Sequence, residues 1–152
     1  MSDDYDDYEI ACKKIRKAND KLLDDFENWL RSKNLKDKTI QRHIDNIDLY
    51  INEFLLYEDA VEAKNGAGEV GMFIGYWFIK KAAWASAASI KSNAASLKKF
   101  YTFLNEIGRT KKDDLEYLKE TIKEEMPEWL ATVKRYDDPS ITDMGEVWGS
   151  PF

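Results

Sequence analysis

Apolar residues recur along this chain at intervals of three and four, the period of amphipathic helices. The most regular stretch runs from Ser86 to Leu104. There Ile90, Ala94, Leu97, Tyr101 and Leu104 share one face, widened by Phe100, Phe103 and Ile107 to what a core-packed helix needs. Ser86 and Ser89 offer side-chain oxygens for the free N–H groups of a first turn, and Gly108 stands where a left-handed stop belongs. The opposite face carries Lys91, Ser92, Ala95, Lys98, Lys99 and Thr102, with no carboxylate before Glu106.

The same period predicts the remaining elements. Residues 1–8 hold four aspartates and no apolar repeat, and are expected to be a disordered acidic N-terminus. From about Glu9 the positions Ile10, Ile15, Ala18, Leu22, Phe26, Trp29 and Leu30 mark one helix to Lys33, bent near Asn19–Asp20 and ended by Asn34. Asp37 is the expected N-cap of a second helix, Lys38 to about Leu56, with Ile40, Ile44, Ile47, Ile51, Phe54 and Leu55 inward. Residues 57–68 read as a loop built on Asn65-Gly66 and Gly68. Val70 to Ala83 is apolar nearly all round, which predicts a helix deep between others, with Gly75 admitting a close neighbour. Trp84 and its flanking alanines form a junction into the central helix. A fifth helix, Asp113 to Glu125, takes Thr110 or Asp113 as cap and turns Leu115, Leu118, Ile122 and Met126 inward. Pro127 is expected to end it, leaving a short piece to Tyr136 and an irregular acidic tail over 137–152. With no strand alternation, no internal repeat and no Gly-rich phosphate loop, the class is all-α. It comprises one four-to-five-helix domain over residues 9–136.

At 152 residues, a single domain buries roughly 70% of its unfolded surface, enough for a self-sufficient core. An aromatic share of 13% agrees with a globular chain. The single cysteine, Cys12, excludes an intrachain disulfide and a zinc site, and the single histidine, His43, leaves little for imidazole chemistry. His43 lies beside the apolar stripe of the second helix and reads as a partly buried, hydrogen-bonded residue. No apolar run reaches membrane-spanning length, and the first residues are acidic where a signal peptide would be basic. These features point to a reducing, cytoplasmic setting with no cofactor, metal, membrane or small-molecule substrate. The net charge of −6 is unevenly spread. Residues 81–112 carry +6, flanked by −5 over residues 1–9 and −7 over 113–152.

The helix–short turn–helix FENWLRSKNLKDKTIQRHIDNIDLYINEFL and the run SIKSNAASLKKFYTFLNEIG resemble the N-terminal core-binding (SAM-like) domain of tyrosine recombinases and phage integrases. In that family the turn reads L-S-x-x-T; here Asp37 stands where Ser is commoner and Thr39 matches. Ser89, Ala94, Ala95, Lys98, Lys99, Phe100, Tyr101 and Leu104 match the family's fourth helix, over a likeness of about residues 20–108. The resemblance implies a helical module that lays its second and fourth helices on duplex DNA as half of a clamp. Carried over, the contact set is Lys38, Gln41 and Arg42, with Lys91, Ser92, Lys98, Lys99 and Thr102. The family's catalytic half is not found: His43 is followed by Ile44-Asp45-Asn46, so no His-x-x-Arg pair exists.

The leading expectation is therefore a non-catalytic DNA-binding protein, accessory to recombination or integration, with Gln41, Arg42 and Asn93 the only candidates for reading base edges. The alternative is a protein-interaction module that kept the fold. Asp45 and Asp48 interrupt the second helix's basic face, and Trp129, Trp148 and Phe152 would suit a partner or second copy reached through Asp113–Phe152. An intermediate case is autoinhibition, the acidic tail covering the basic helix through Asp137, Asp138, Asp143 and Glu146. Carboxylate pairs such as Asp24–Asp25 and Glu124–Glu125 read as solubilising charge rather than acid–base dyads, so no enzyme is expected.

Overall fold

The chain is described over residues 3–138 in a computed structural model, and five helical segments make up the fold. Helix α1 spans Asp3–Ser32; α2 spans Asp37–Asp48 and widens into a π-helical stretch at Leu49–Phe54. Helix α3 joins Val70–Met72, a π-helical Phe73–Trp77 and Phe78–Lys81. Helix α4 is Ala87–Glu106 and α5 is Lys112–Asp137. Two 3-10 turns, Ala63–Asn65 and Ala67–Glu69, order the connection between α2 and α3. Among the described residues there is no strand, and the class is all-α.

Helix α4 lies at the centre, packed on α2 and α5 and touched by α1 and by the π turn of α3. Its Ile90, Ala94, Leu97, Phe100, Tyr101, Phe103 and Leu104 are all buried. Phe26 of α1 meets the Phe100 ring edge-on at 5.2 Å. Both ends of α4 are closed locally. Ser86 Oγ accepts from the Ser89 N–H at 3.1 Å while Ser89 Oγ accepts from the Ser86 N–H at 2.8 Å, a reciprocal capping box. At the other end Gly108 takes φ +77°, and the Arg109 and Gly108 N–H groups close onto the Leu104 and Asn105 carbonyls. Asn34, at φ 61°, ends α1 in the same left-handed way.

Four elements differ from the sequence pattern. The first helix starts at Asp3, ahead of Glu9. Asp4, Asp6 and Asp7 stabilise the positive N-terminal end of its dipole, and the Tyr8 hydroxyl donates to the Leu56 carbonyl, tying that turn to the body. Ile10, expected inward, is 55% exposed. Asp37 does not cap α2: Lys36 is the N-cap and makes no side-chain cap bond, while Asp37 pairs with Arg31 at 2.7 Å. Neither Thr110 nor Asp113 caps α5. Its N-cap is Lys111, and Thr110 is buried with its hydroxyl 3.4 Å from the Lys64 carbonyl. Helix α3 is not buried all round, since Met72 is 58% exposed and Tyr76 also reaches solvent.

The largest difference is at Pro127, which sits inside α5 rather than at its end. A mid-helix proline costs about 3 kcal/mol, because it removes one N–H and crowds the preceding turn. Beyond it Trp129, Thr132 and Val133 are buried, and Trp129 alone is worth roughly as much when packed. Pro127 itself faces solvent, where water can satisfy the carbonyl left without its helical donor. Trp129 fits because Gly75 is opposite: a Cβ there would lie 2.7 Å from the indole Nε1. The expected acidic tail over residues 139–152, with Asp143, Glu146, Trp148 and Phe152, lies outside the described residues.

Two buried tyrosines hold the α2–α3 connection. Tyr101 of α4 donates its hydroxyl to the Ala63 carbonyl at 2.7 Å, and Tyr50 donates to the Gly66 carbonyl at 2.5 Å. Burial pushes both phenols above their ordinary range, so they stay protonated donors. Gly66 is required there, because a Cβ would come within 2.6 Å of both the Tyr101 oxygen and Leu55 Cδ1. Gly68, two residues on, has open space around it. Gly66→Ala is therefore expected to lower unfolding free energy by about 1–3 kcal/mol in urea titrations. Gly68→Ala should leave the midpoint unchanged, and equal effects from the two would contradict this packing.

Candidate nucleic-acid interface

The α2–α4 contact is zipped by polar groups rather than by apolar side chains alone. Asn46 of α2 donates from Nδ2 to Ser92 Oγ at 3.0 Å and to Ser96 Oγ at 2.9 Å. Ser96 Oγ donates in turn to the Ser92 carbonyl at 3.0 Å. That use of the single hydroxyl proton leaves His43 Nδ1, 2.7 Å from the same oxygen, as the donor. His43 is 6% exposed, the buried and hydrogen-bonded residue that the pattern predicts. Burial, aided by the nearby Lys99 and Arg42 cations, pulls its pKa down to about 4. A neutral imidazole thus sits beneath a surface where cations of α2 and α4 meet.

The eight candidate contact residues divide by what holds them. Lys38, Arg42, Lys91 and Lys98 are exposed, and Lys99 is half-buried at the seam. None of these five forms an ion pair among the described residues. Gln41 is exposed, but its amide donates to Asp45 Oδ1 at 2.8 Å, so reading a base edge would mean leaving that partner. Ser92 faces α2 as the acceptor for Asn46, and Thr102 returns its hydroxyl to the Lys98 carbonyl at 2.7 Å. Asn93 drops out as a base reader. It is buried and donates to the Ser89 carbonyl at 2.8 Å, on the core side of α4. The structure thus sets five cations on the outer sides of two packed helices, with Lys99 and Arg42 both close to His43 and the half-buried Ser92 and Thr102 also on α4. Asp45 and Asp48 remain exposed on α2.

One dense basic run escaped the segment sums. Lys13, Lys14, Arg16 and Lys17 are four exposed cations within five residues of α1. Residues 10–57 carry only +2 in sum, which masks this run, whereas a five-residue stretch shows it. Trp129, expected to face a partner, is instead packed against Gly75 and only 3% exposed. Large exposed apolar groups at or beside α3 include Tyr57, Met72 and Trp84, while others, such as Tyr5, Ile10 and Tyr117, lie on α1 and α5. Among the described residues, no group of His, Cys, Asp and Glu is placed to hold a metal ion, and no helix is long and apolar enough to cross a membrane.

The histidine fixes a pH dependence. Its pKa is lower in the folded chain (about 4) than in an unfolded one (about 6.5), so the unfolded state binds the extra proton between these values. The stability it contributes is fully present above pH 6.5 and is lost as pH falls through 4. Subtracting the pH–stability profile of His43→Gln from that of the parent should leave a loss over this window of up to about 3 kcal/mol. A flat difference, or an NMR titration of His43 near 6.5, would show the ring to be solvated. Compared with known proteins, the chain matches no family model, no curated protein and no solved structure.

Proposed function

We propose that this chain is a non-catalytic duplex-DNA-binding protein that uses the outer strip of α4 and the adjoining turns of α2. The observation that carries the reading is the strip itself. From Ala87 to Asn105, α4 has no carboxylate, and Lys91, Lys98 and Lys99 occupy its outward side beside Lys38 and Arg42. Although the chain carries a net charge of −6, none of these cations forms an ion pair among the described residues. Ala87, Ala88 and Ala95 are small, so a phosphate backbone can approach the helix closely. Contacts of this kind position a protein on duplex DNA and carry little sequence information. With Asn93 buried and Gln41 engaged, Arg42 is the one base-edge reader left, and weak sequence preference is expected. The resemblance of residues 20–108 to recombinase core-binding domains supports the same face, and suggests an accessory part in recombination or integration.

The second reading, a protein-interaction module, gains from exposed Tyr57, Met72 and Trp84 rather than from Trp129. The two readings separate by charge reversal. Lys91, Lys98 and Lys99 changed together to Glu should reduce the salt slope of duplex affinity by about three, without loss of helicity by circular dichroism. The control reverses Lys13, Lys14, Arg16 and Lys17, which alters the net charge by more. If the control weakens binding as much as the α4 variant, the strip is not the contact face. No duplex binding by the parent chain would favour the interaction reading.

A further inference from the structure

Between α1 and the corner joining α4 to α5 lies a groove of about 390 Å³, within the range of small-ligand sites. It shares none of the eight residues of the α2–α4 face. Its apolar lining is Ile15, Leu22 and the more exposed Ala18 of α1 with Leu104 of α4, and Asn19, Asp25 and Glu62 line it as well. Four cations stand round it: Lys14 and Lys21 of α1, Lys64 of the first 3-10 turn, and Arg109 just past α4. Two of them are matched, Lys21 to Asp25 at 3.1 Å and Lys64 to Glu62 at 3.4 Å. Lys14 and Arg109 have no ion-pair partner among the described residues. Among the described residues the groove therefore keeps two unneutralised positive charges beside its apolar lining.

We propose that this groove binds a small amphipathic anion, an apolar body bearing one carboxylate, sulfonate or phosphate head. The apolar lining would cover the body, gaining about 25 cal/mol for each Å² removed from water. Lys14 and Arg109 would take the head, the guanidinium offering two parallel donors to its oxygens. Among the described residues no aromatic side chain lines the groove, so a nucleic-acid base would find no stacking platform from them. A hollow of this volume also holds one small molecule rather than a polymer. Lys14, Lys64 and Arg109 come from three segments far apart in sequence, so the site exists only in the folded chain.

The test uses 1-anilinonaphthalene-8-sulfonate, an apolar body with a sulfonate head, titrated into the full chain and followed by fluorescence. The expected result is saturable one-site enhancement, displaced by decanoate and not by inorganic phosphate at equal concentration. Lys14→Glu with Arg109→Glu, both at exposed positions, should weaken it at least about ten-fold, the effect of losing one charge-assisted contact. Ala18→Trp, which fills the groove, should abolish it. Each variant is first checked for a cooperative thermal transition, and if Ala18→Trp fails to fold the charge variant carries the test. Enhancement that does not saturate, that persists in the variants, or that phosphate displaces as well as decanoate does would overturn the proposal.

Discussion

Burial of α4 is the constraint from which the rest of the fold follows. Seven apolar or aromatic residues of this one helix are covered, and α1, α2, α3 and α5 are arranged to cover them. Tyr101 extends the effect beyond packing, because its hydroxyl sits in the core and must donate to something. It donates to Ala63, which fixes the connection between α2 and α3 and forces Gly66 to lack a side chain. On the α2 side the cover is polar: Asn46 and His43 close on Ser92 and Ser96. Unmade bonds there would each cost about 1–3 kcal/mol, so the pairing fixes the register of the two helices. Lys99 of α4 and Arg42 of α2 are thereby both held close to His43.

The periodic elements were legible in the sequence because burial of α4 imposes its period directly. The capping serines, the Gly108 stop, the Asn34 stop and the buried His43 all stand where local chemistry puts them. Departures arise wherever a contact distant in sequence outweighs a local preference. Pro127 stays helical because Trp129 reaches Gly75, more than fifty positions earlier. The N-terminal turn forms because Tyr8 reaches Leu56. Helix α3 looks apolar on every side, yet Met72 is 58% and Tyr76 39% exposed, so its apolar surface is only partly covered by the other helices.

For the candidate interface the helical period accounts for the outward placement of the cations, while individual polar groups depart from it. Lysines on the outer side of a periodic helix must point outward, so Lys91 and Lys98 were secure. Short polar side chains carry no such guarantee. Asn93 lies at the spacing of Ile90, Ala94 and Leu97 and follows them into the core, while Ser92 turns sideways to α2. The groove beside Arg109 left no trace in any window of the sequence, since its walls come from three separate segments.

A chain of net charge −6 that binds DNA must do so through a local field, because distant acidic groups are screened over about 10 Å at 0.1 M salt. Salt dependence therefore tests the central claim most directly. Fluorescence anisotropy of a labelled mixed-sequence duplex, titrated with the protein at rising salt, measures it. Five cations on the strip predict a fall of log affinity with log salt of slope near −4.5. Absence of saturable binding at about 50 mM salt, where phosphate contacts are strongest, or a slope near zero, would contradict it.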